Sequence, residues 1–61
     1  MVEKIYYIAN SDKLAKAIYK IEMSFPCFVY KEYIEMDYSK ITIKARQEDL
    51  ASIEEILAPL V

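Results

Sequence analysis

The sequence contains no glycine and no histidine in 61 residues. Average glycine usage of roughly 7% would place about four in a chain of this length. Without glycine, no loop can bring its backbone amides closely around a phosphate, which closes the P-loop and dinucleotide-fingerprint readings. Without histidine, the usual general base near neutral pH and the commonest metal ligand are absent. Cys27 is the one cysteine, so it can form no intrachain disulfide and no thiolate zinc site by itself. A cysteine nucleophile also needs a basic or cationic neighbour, so Cys27, directly after Pro26, reads as a buried, inert thiol. No apolar run reaches the ~18 residues of a membrane span. The opening MVEKIYYIAN lacks a cleavable signal pattern. The expectation is a cytoplasmic, non-enzymatic chain with no cofactor, no metal and no membrane contact.

What is present agrees with a binding role. The length allows one domain, residues 1–61. A chain of this size buries only ~60% of its unfolded surface. Below about 70–80 residues, domains usually add disulfides, a metal or a partner chain. With the first two excluded, oligomerisation is the support left. Hydrophobic residues make up 56% of the chain and six are tyrosines. Tyrosine suits interfaces, with an apolar ring and a polar tip, and it also simply fits strands. Ten acids against eight bases leave a net charge of −2, against the basic excess of free-standing nucleic-acid binders. Asn10 and Gln47 are the only side-chain amides among abundant Ile, Lys and Glu, a composition similar to the thermophile pattern.

Residues Glu3 to Ala9 read as a strand, rich in β-branched and aromatic side chains. Asn10 and Ser11 are adjacent N-cap candidates for a helix. In that helix Leu14, Ile18, Ile21 and Phe25 form an apolar stripe with Ala15 and Ala17. Pro26 ends it and biases Phe25 away from helical geometry. Cys27 to Met36 reads as a second strand, Asp37-Tyr38-Ser39-Lys40 as a turn, and Ile41 to Ala45 as a cleanly alternating third strand. With no Asn-Gly or Asp-Gly in the turn, a longer or bulged loop is expected. A second helix opens near Gln47 or Glu48, buries Leu50, Ile53 and Leu57 with Ile56 alongside, and stops near Ala58 at Pro59. The order β-α-β-β-α predicts an α+β fold: a three-stranded antiparallel or mixed sheet with the third strand in the middle and two helices on one face.

If Ile41, Ile43 and Ala45 face the helices, then Thr42, Lys44 and Arg46 face outward. The other two strands carry bulky residues on both alternating sets: Phe28, Tyr30, Ile34 and Met36 against Val29 and Tyr33, and Ile5 and Tyr7 against Tyr6 and Ile8. Two-sided apolar strands in so small a sheet suggest cover from a second chain. The candidate protein interface is Tyr6, Tyr30, Tyr33, Ile34 and Met36. Lys13, Lys16 and Lys20 recur at steps of three and four on one helical face. That row is the candidate RNA-facing surface; a solvated helix face also accounts for it. Glu32, Glu35 and Asp37 read as a solvated strand end rather than an acid–base site.

The stretch Ser11-Asp12-Lys13-Leu14-Ala15-Lys16-Ala17-Ile18-Tyr19 resembles the first-helix opening of the Pcc-family small subunits of the KEOPS complex. Ile34-Glu35-Met36-Asp37 and Ile41-Thr42-Ile43-Lys44-Ala45 resemble that family's hairpin. The resemblance implies a non-catalytic subunit that pairs through its sheet. It also implies contact with the catalytic subunit, and with tRNA only within the complex, during threonylcarbamoyladenosine synthesis. The chain departs from the family where helix two carries an arginine and an asparagine–serine pair. Here that stretch is Ala51-Ser52-Ile53-Glu54-Glu55-Ile56, shortened by Pro59, and the hairpin glycine is replaced around Ser39. These departures fit a divergent paralogue that pairs with the standard subunit as a heterodimer, or with itself as a homodimer. The rival readings are a small ferredoxin-like dimeric regulatory or ligand-sensing module and an autonomous nucleic-acid binder.

Overall fold

The computed structural model describes all residues, Met1–Val61. Strand β1 (Val2–Ala9) leads to helix α1 (Asp12–Ser24), strands β2 (Cys27–Glu35) and β3 (Tyr38–Ala45), and helix α2 (Gln47–Leu57). A single 3₁₀ turn, Ala58–Leu60, closes the chain. The three strands lie in the order β1-β3-β2, and both neighbouring pairs are antiparallel. The expected β-α-β-β-α fold with its third strand in the middle is therefore the observed one, and its sheet is purely antiparallel.

Helix α1 begins where the residue chemistry demands. Ser11 is extended, and its hydroxyl accepts from the Leu14 backbone N–H at 3.1 Å. Asp12 sits in the first turn, where the helix dipole favours an acid. Pro26 forces the exit: Phe25 is extended, and its N–H still reaches the Ile21 carbonyl at 3.0 Å. The buried stripe is Leu14, Ala17 and Ile21, with Ile18 and Phe25 only half-buried and Ala15 exposed. That is narrower than the expected stripe, because one small sheet supplies too little cover for more of the helix circumference. Helix α2 opens differently. Arg46 provides no side-chain cap; instead its Nε donates to Asp49 Oδ2 at 2.8 Å, while the Asp49 N–H donates to the Arg46 carbonyl at 2.9 Å. Arg46 was expected on the outer sheet face, and this clamp turns it to the helix entrance. Helix α2 ends at Leu57 with Ala58 as its C-cap, where Pro59 was expected to stop it. The fixed φ of Pro59 suits the 3₁₀ turn that follows.

The hairpin differs most from expectation. Strand β3 starts at Tyr38, not Ile41, and only Met36 and Asp37 lie outside the strands. No residue takes a positive φ, so the primed turns that normally close so short a connection are not used. A register shift between Tyr33 and Glu35 supplies the missing geometry: a bulge adds twist and lets the strands meet without a left-handed residue. Asn10 fastens the result. Its N–H donates to the Asp37 carbonyl at 2.8 Å, its side-chain amide donates to the Met36 carbonyl at 3.3 Å, and its Oδ1 accepts from the buried Ser39 hydroxyl.

The core lies in one layer between the sheet and the helices. Ile41, Ile43 and Ala45 from β3 meet Ile8, Leu14, Ile21, Ile53 and Leu57, all fully or almost fully buried. Stability for a chain of this length is of order 3–9 kcal/mol. Removing one central side chain therefore takes a large share of it. Ile43→Ala is expected to cost about 2–5 kcal/mol, whereas Ile43→Val costs ~0.5–1.5 kcal/mol. Urea titration followed by circular dichroism checks both, and an Ile43→Ala chain as stable as the parent contradicts the one-layer core.

Candidate functional site

Cross-strand partners lie on the same face of a sheet, so the register assigns every strand residue to a side. Tyr6 lies opposite Ile41, Lys4 opposite Ile43 and Ile8 opposite Ser39, which puts Lys4, Tyr6 and Ile8 on the helix side. The remaining set, Glu3, Ile5, Tyr7 and Ala9, is on the open side with Lys44, Thr42, Lys40 and Tyr38. From β2, Phe28 lies opposite Lys44, Tyr30 opposite Thr42 and Glu32 opposite Lys40, all on the open side. Nothing covers this side. Ile5, Tyr7, Phe28, Tyr30 and Tyr38 each leave between 44% and 59% of their surface in solvent.

The face is patterned rather than uniformly greasy. Its centre is the polar column of Lys40, Thr42 and Lys44, flanked by aliphatic and aromatic side chains from both outer strands. Lys44 Nζ is 3.9 Å from the Glu3 carboxylate and 6.0 Å from the Tyr30 ring centroid, so one ammonium links the two outer strands across the middle. Acids stand at opposite corners, Glu3 on β1 and Glu32 on β2. A face with both signs of charge among exposed rings has the mixed character of an interface.

The five residues expected at the interface do not share one surface. Tyr30 is on the open face. Tyr6 points to the helix side, because β1 places Ile5 and Tyr7, not Tyr6, in phase with Tyr30. Tyr33 lies opposite buried Ser39, at the hairpin end, with Lys31 Nζ 4.7 Å from its ring centroid. Ile34 sits at the bulge, and Met36, 93% exposed, occupies the turn. Sequence reading missed Ile5, Tyr7, Phe28 and Tyr38 as partners of Tyr30; the pairing register supplies the phase that alternation alone does not.

The other candidates are placed as follows. Lys13, Lys16 and Lys20 are all exposed on α1, on the opposite layer from the open sheet face. The ion pairs of the fold involve other lysines, Lys4 and Lys44, and Arg46. Cys27 is half-buried rather than buried, with Sγ 3.8 Å from the Ile21 carbonyl. Burial pushes its thiol pKa up, and the charges of Glu22 and Asp49 add to that; a raised thiol pKa opposes nucleophilic use. No cluster of three or more Asp, Glu, Cys or His side chains could hold a metal ion. No helix is long and apolar enough to cross a membrane.

One groove is present, about 490 Å³, between β1 and the end of α2, lined by Tyr6, Glu54, Leu57, Ala58 and Val61. The Tyr6 hydroxyl donates to Glu54 Oε1 at 3.1 Å, and Lys4 Nζ lies 3.8 Å from the same oxygen. Burial, then the hydrogen bond and charge of Glu54, push the Tyr6 pKa up to about 12 from 10.0.

Compared with protein-family models, with curated proteins and with solved structures, the chain matches none.

The raised Tyr6 pKa has a defined pH consequence. The native state holds this proton more tightly than the unfolded chain, so its stabilising contribution is complete below pH 10 and is lost as pH rises toward 12. Glu54→Gln removes the charge and leaves the burial. In a spectrophotometric titration the Tyr6 pKa is expected to fall from about 12 but stay above 10.0. An unchanged curve contradicts the assigned role of Glu54.

Proposed function

We propose that this chain is a non-catalytic assembly subunit of a threonylcarbamoyladenosine tRNA-modifying, KEOPS-like complex. It acts by pairing through its sheet with a related Pcc-family small subunit, or with a second copy of itself. The observation that carries the pairing is the uncovered sheet face, with Ile5, Tyr7, Phe28, Tyr30 and Tyr38 exposed around Lys40 and Lys44. A monomer with a single-layer core gains little from five bulky apolar residues in water, and such patches mark interaction sites. The KEOPS assignment rests on the residue resemblance in Ser11–Tyr19 and in the hairpin, joined to the β-α-β-β-α order. In this reading the catalytic subunit is a further contact, and tRNA is met only in the assembled complex, with Lys13, Lys16 and Lys20 on the exposed side of α1. The chain works in the cytoplasm, where its single thiol stays reduced.

A second reading, a small ligand-sensing module, draws on the groove lined by Tyr6 and Glu54. It is the weaker one. Glu54, the single charged group lining that groove, is already engaged by Tyr6 and Lys4, and ligand sites present converging polar groups that are free to bind.

Co-expression with a Pcc-family subunit from the same source, followed by size-exclusion chromatography with light scattering, tests the first reading. One shared peak with the summed mass is expected, and Tyr30→Glu is expected to split it. Two separate peaks for the parent chains overturn it. A melting-temperature shift with a metabolite, lost in Glu54→Gln, favours the second.

A further inference from the structure

Three of the residues expected at a single interface, Tyr33, Ile34 and Met36, gather at the hairpin end of the sheet instead. Every residue from Lys31 to Tyr38 is exposed there. Tyr33 lies opposite buried Ser39 on the helix side, yet 70% of it is in solvent, so the helices leave this end of β2 uncovered. Ile34 is 48% exposed and Met36, at the bend, is almost wholly so. Neighbouring apolar side chains rimmed by polar ones mark interaction sites. This surface is separate from the open face around Tyr30.

The tip is not a slack loop. Asn10 donates to the Met36 carbonyl at 3.3 Å and to the Asp37 carbonyl at 2.8 Å, and it accepts from the Ser39 hydroxyl. The bulge between Tyr33 and Glu35 sets the last residues of β2, and Lys31 Nζ stands 4.7 Å from the Tyr33 ring centroid. A tip already held in one shape gives up little conformational freedom on docking.

Charge narrows the partner. Glu32, Glu35 and Asp37 are interleaved with the apolar trio. None of them takes part in an ion pair, since the bridges of the fold use Glu3, Glu48, Asp49 and Glu54. Three carboxylates at the tip repel phosphate, which disfavours RNA and anionic bilayers, and they attract Lys and Arg.

We propose that the hairpin tip is an anchor for a further protein, distinct from the pairing subunit. Met36 and Ile34, with Tyr33 beside them, enter an apolar pocket on that protein, and Lys or Arg at the pocket's rim meets Glu32, Glu35 and Asp37. A stable interface takes about 20–30 residues from each side. The tip supplies far fewer, so its contact is transient alone and gains strength where another surface of the chain already holds the same assembly. The anchor does not depend on the pairing reading, because the two use different residues.

Photo-cross-linking of the full chain in cells of its own source tests this. With Met36 replaced by p-benzoylphenylalanine, one protein partner is expected, joined through a peptide that sets apolar residues beside Lys or Arg. The same replacement at Met23, 70% exposed on α1, is expected not to label that peptide. Tyr30→Glu is expected to leave the Met36 cross-link in place. With the purified partner, Met36→Asp is expected to weaken binding about tenfold or more, with the fold checked by circular dichroism. Glu35→Lys is expected to weaken it severalfold, and added salt is expected to lower the affinity of the parent chain. No cross-link, or cross-links only to the pairing subunit, a second copy, RNA or lipid, overturns the anchor. So does labelling of one peptide from both positions, or binding that Met36→Asp leaves unchanged. An affinity indifferent to both Glu35→Lys and salt overturns the basic rim. A chain that fails to pair but keeps the Met36 cross-link overturns the pairing reading and supports the anchor.

Discussion

Two helices can cover one face of a three-stranded sheet and no more. With 61 residues there is no third layer, so every other property of this molecule follows from a core that is closed on one side only. Strand β3 bears that constraint most directly. It is bonded on both edges, and Ile41, Ile43 and Ala45 are wholly buried on its helix side. Its other side, Lys40, Thr42 and Lys44, has no layer of the chain above it. The same strand is thus the centre of the core and the centre of the uncovered face.

Polar side chains solve the local problems that such a small frame creates. Asn10, between β1 and α1, bonds three times to the hairpin at Met36, Asp37 and Ser39, twice through its side-chain amide and once through its backbone N–H. A single residue thus ties the first connection of the chain to the second. Arg46 and Asp49 do the corresponding work at the entrance to α2. No buried side-chain nitrogen or oxygen is left without a partner. In a chain with few stabilising kilocalories to spare, an unsatisfied buried polar group costing ~1–3 kcal/mol would be a serious loss.

The element order, the middle position of β3, the Ser11 cap and the Leu50-Ile53-Leu57 stripe were all legible in the residues, because each follows from local periodicity or capping chemistry. The hairpin was legible only in part. The lack of Asn-Gly or Asp-Gly pointed to a longer or bulged loop, and a bulge is present between Tyr33 and Glu35, but its position was not foreseen. Turn propensity placed its bend at Asp37–Lys40, where glycine or asparagine would normally be sought; the bulge near Tyr33 moved the bend to Met36 and Asp37. A bulge is a property of two strands together and leaves little trace in either one. The grouping of the candidate surface residues was hidden in the same way. Alternation separated Ile5 and Tyr7 from Tyr6 and Ile8, but only the pairing with β3 decides which set joins Tyr30. Tyr6 lies on the helix side, out of phase with Tyr30. Whether the lysine row on α1 meets RNA was not legible at all, since exposed lysines at helical spacing look the same with or without a nucleic acid beside them.

The pairing of Val2 with Ala45 also sets a timetable for synthesis. Strand β1 leaves the ribosome before the other elements of this fold, yet its only partner strand is β3, the last strand to be made. At ~5–20 residues per second, the nascent Ile5–Ala9 segment waits roughly 2–8 s before the strand that shelters it has been made. A helix could fold in that interval; a strand cannot. The strand that keeps one edge unpaired in the finished sheet is therefore also the one that waits longest for its partner during synthesis.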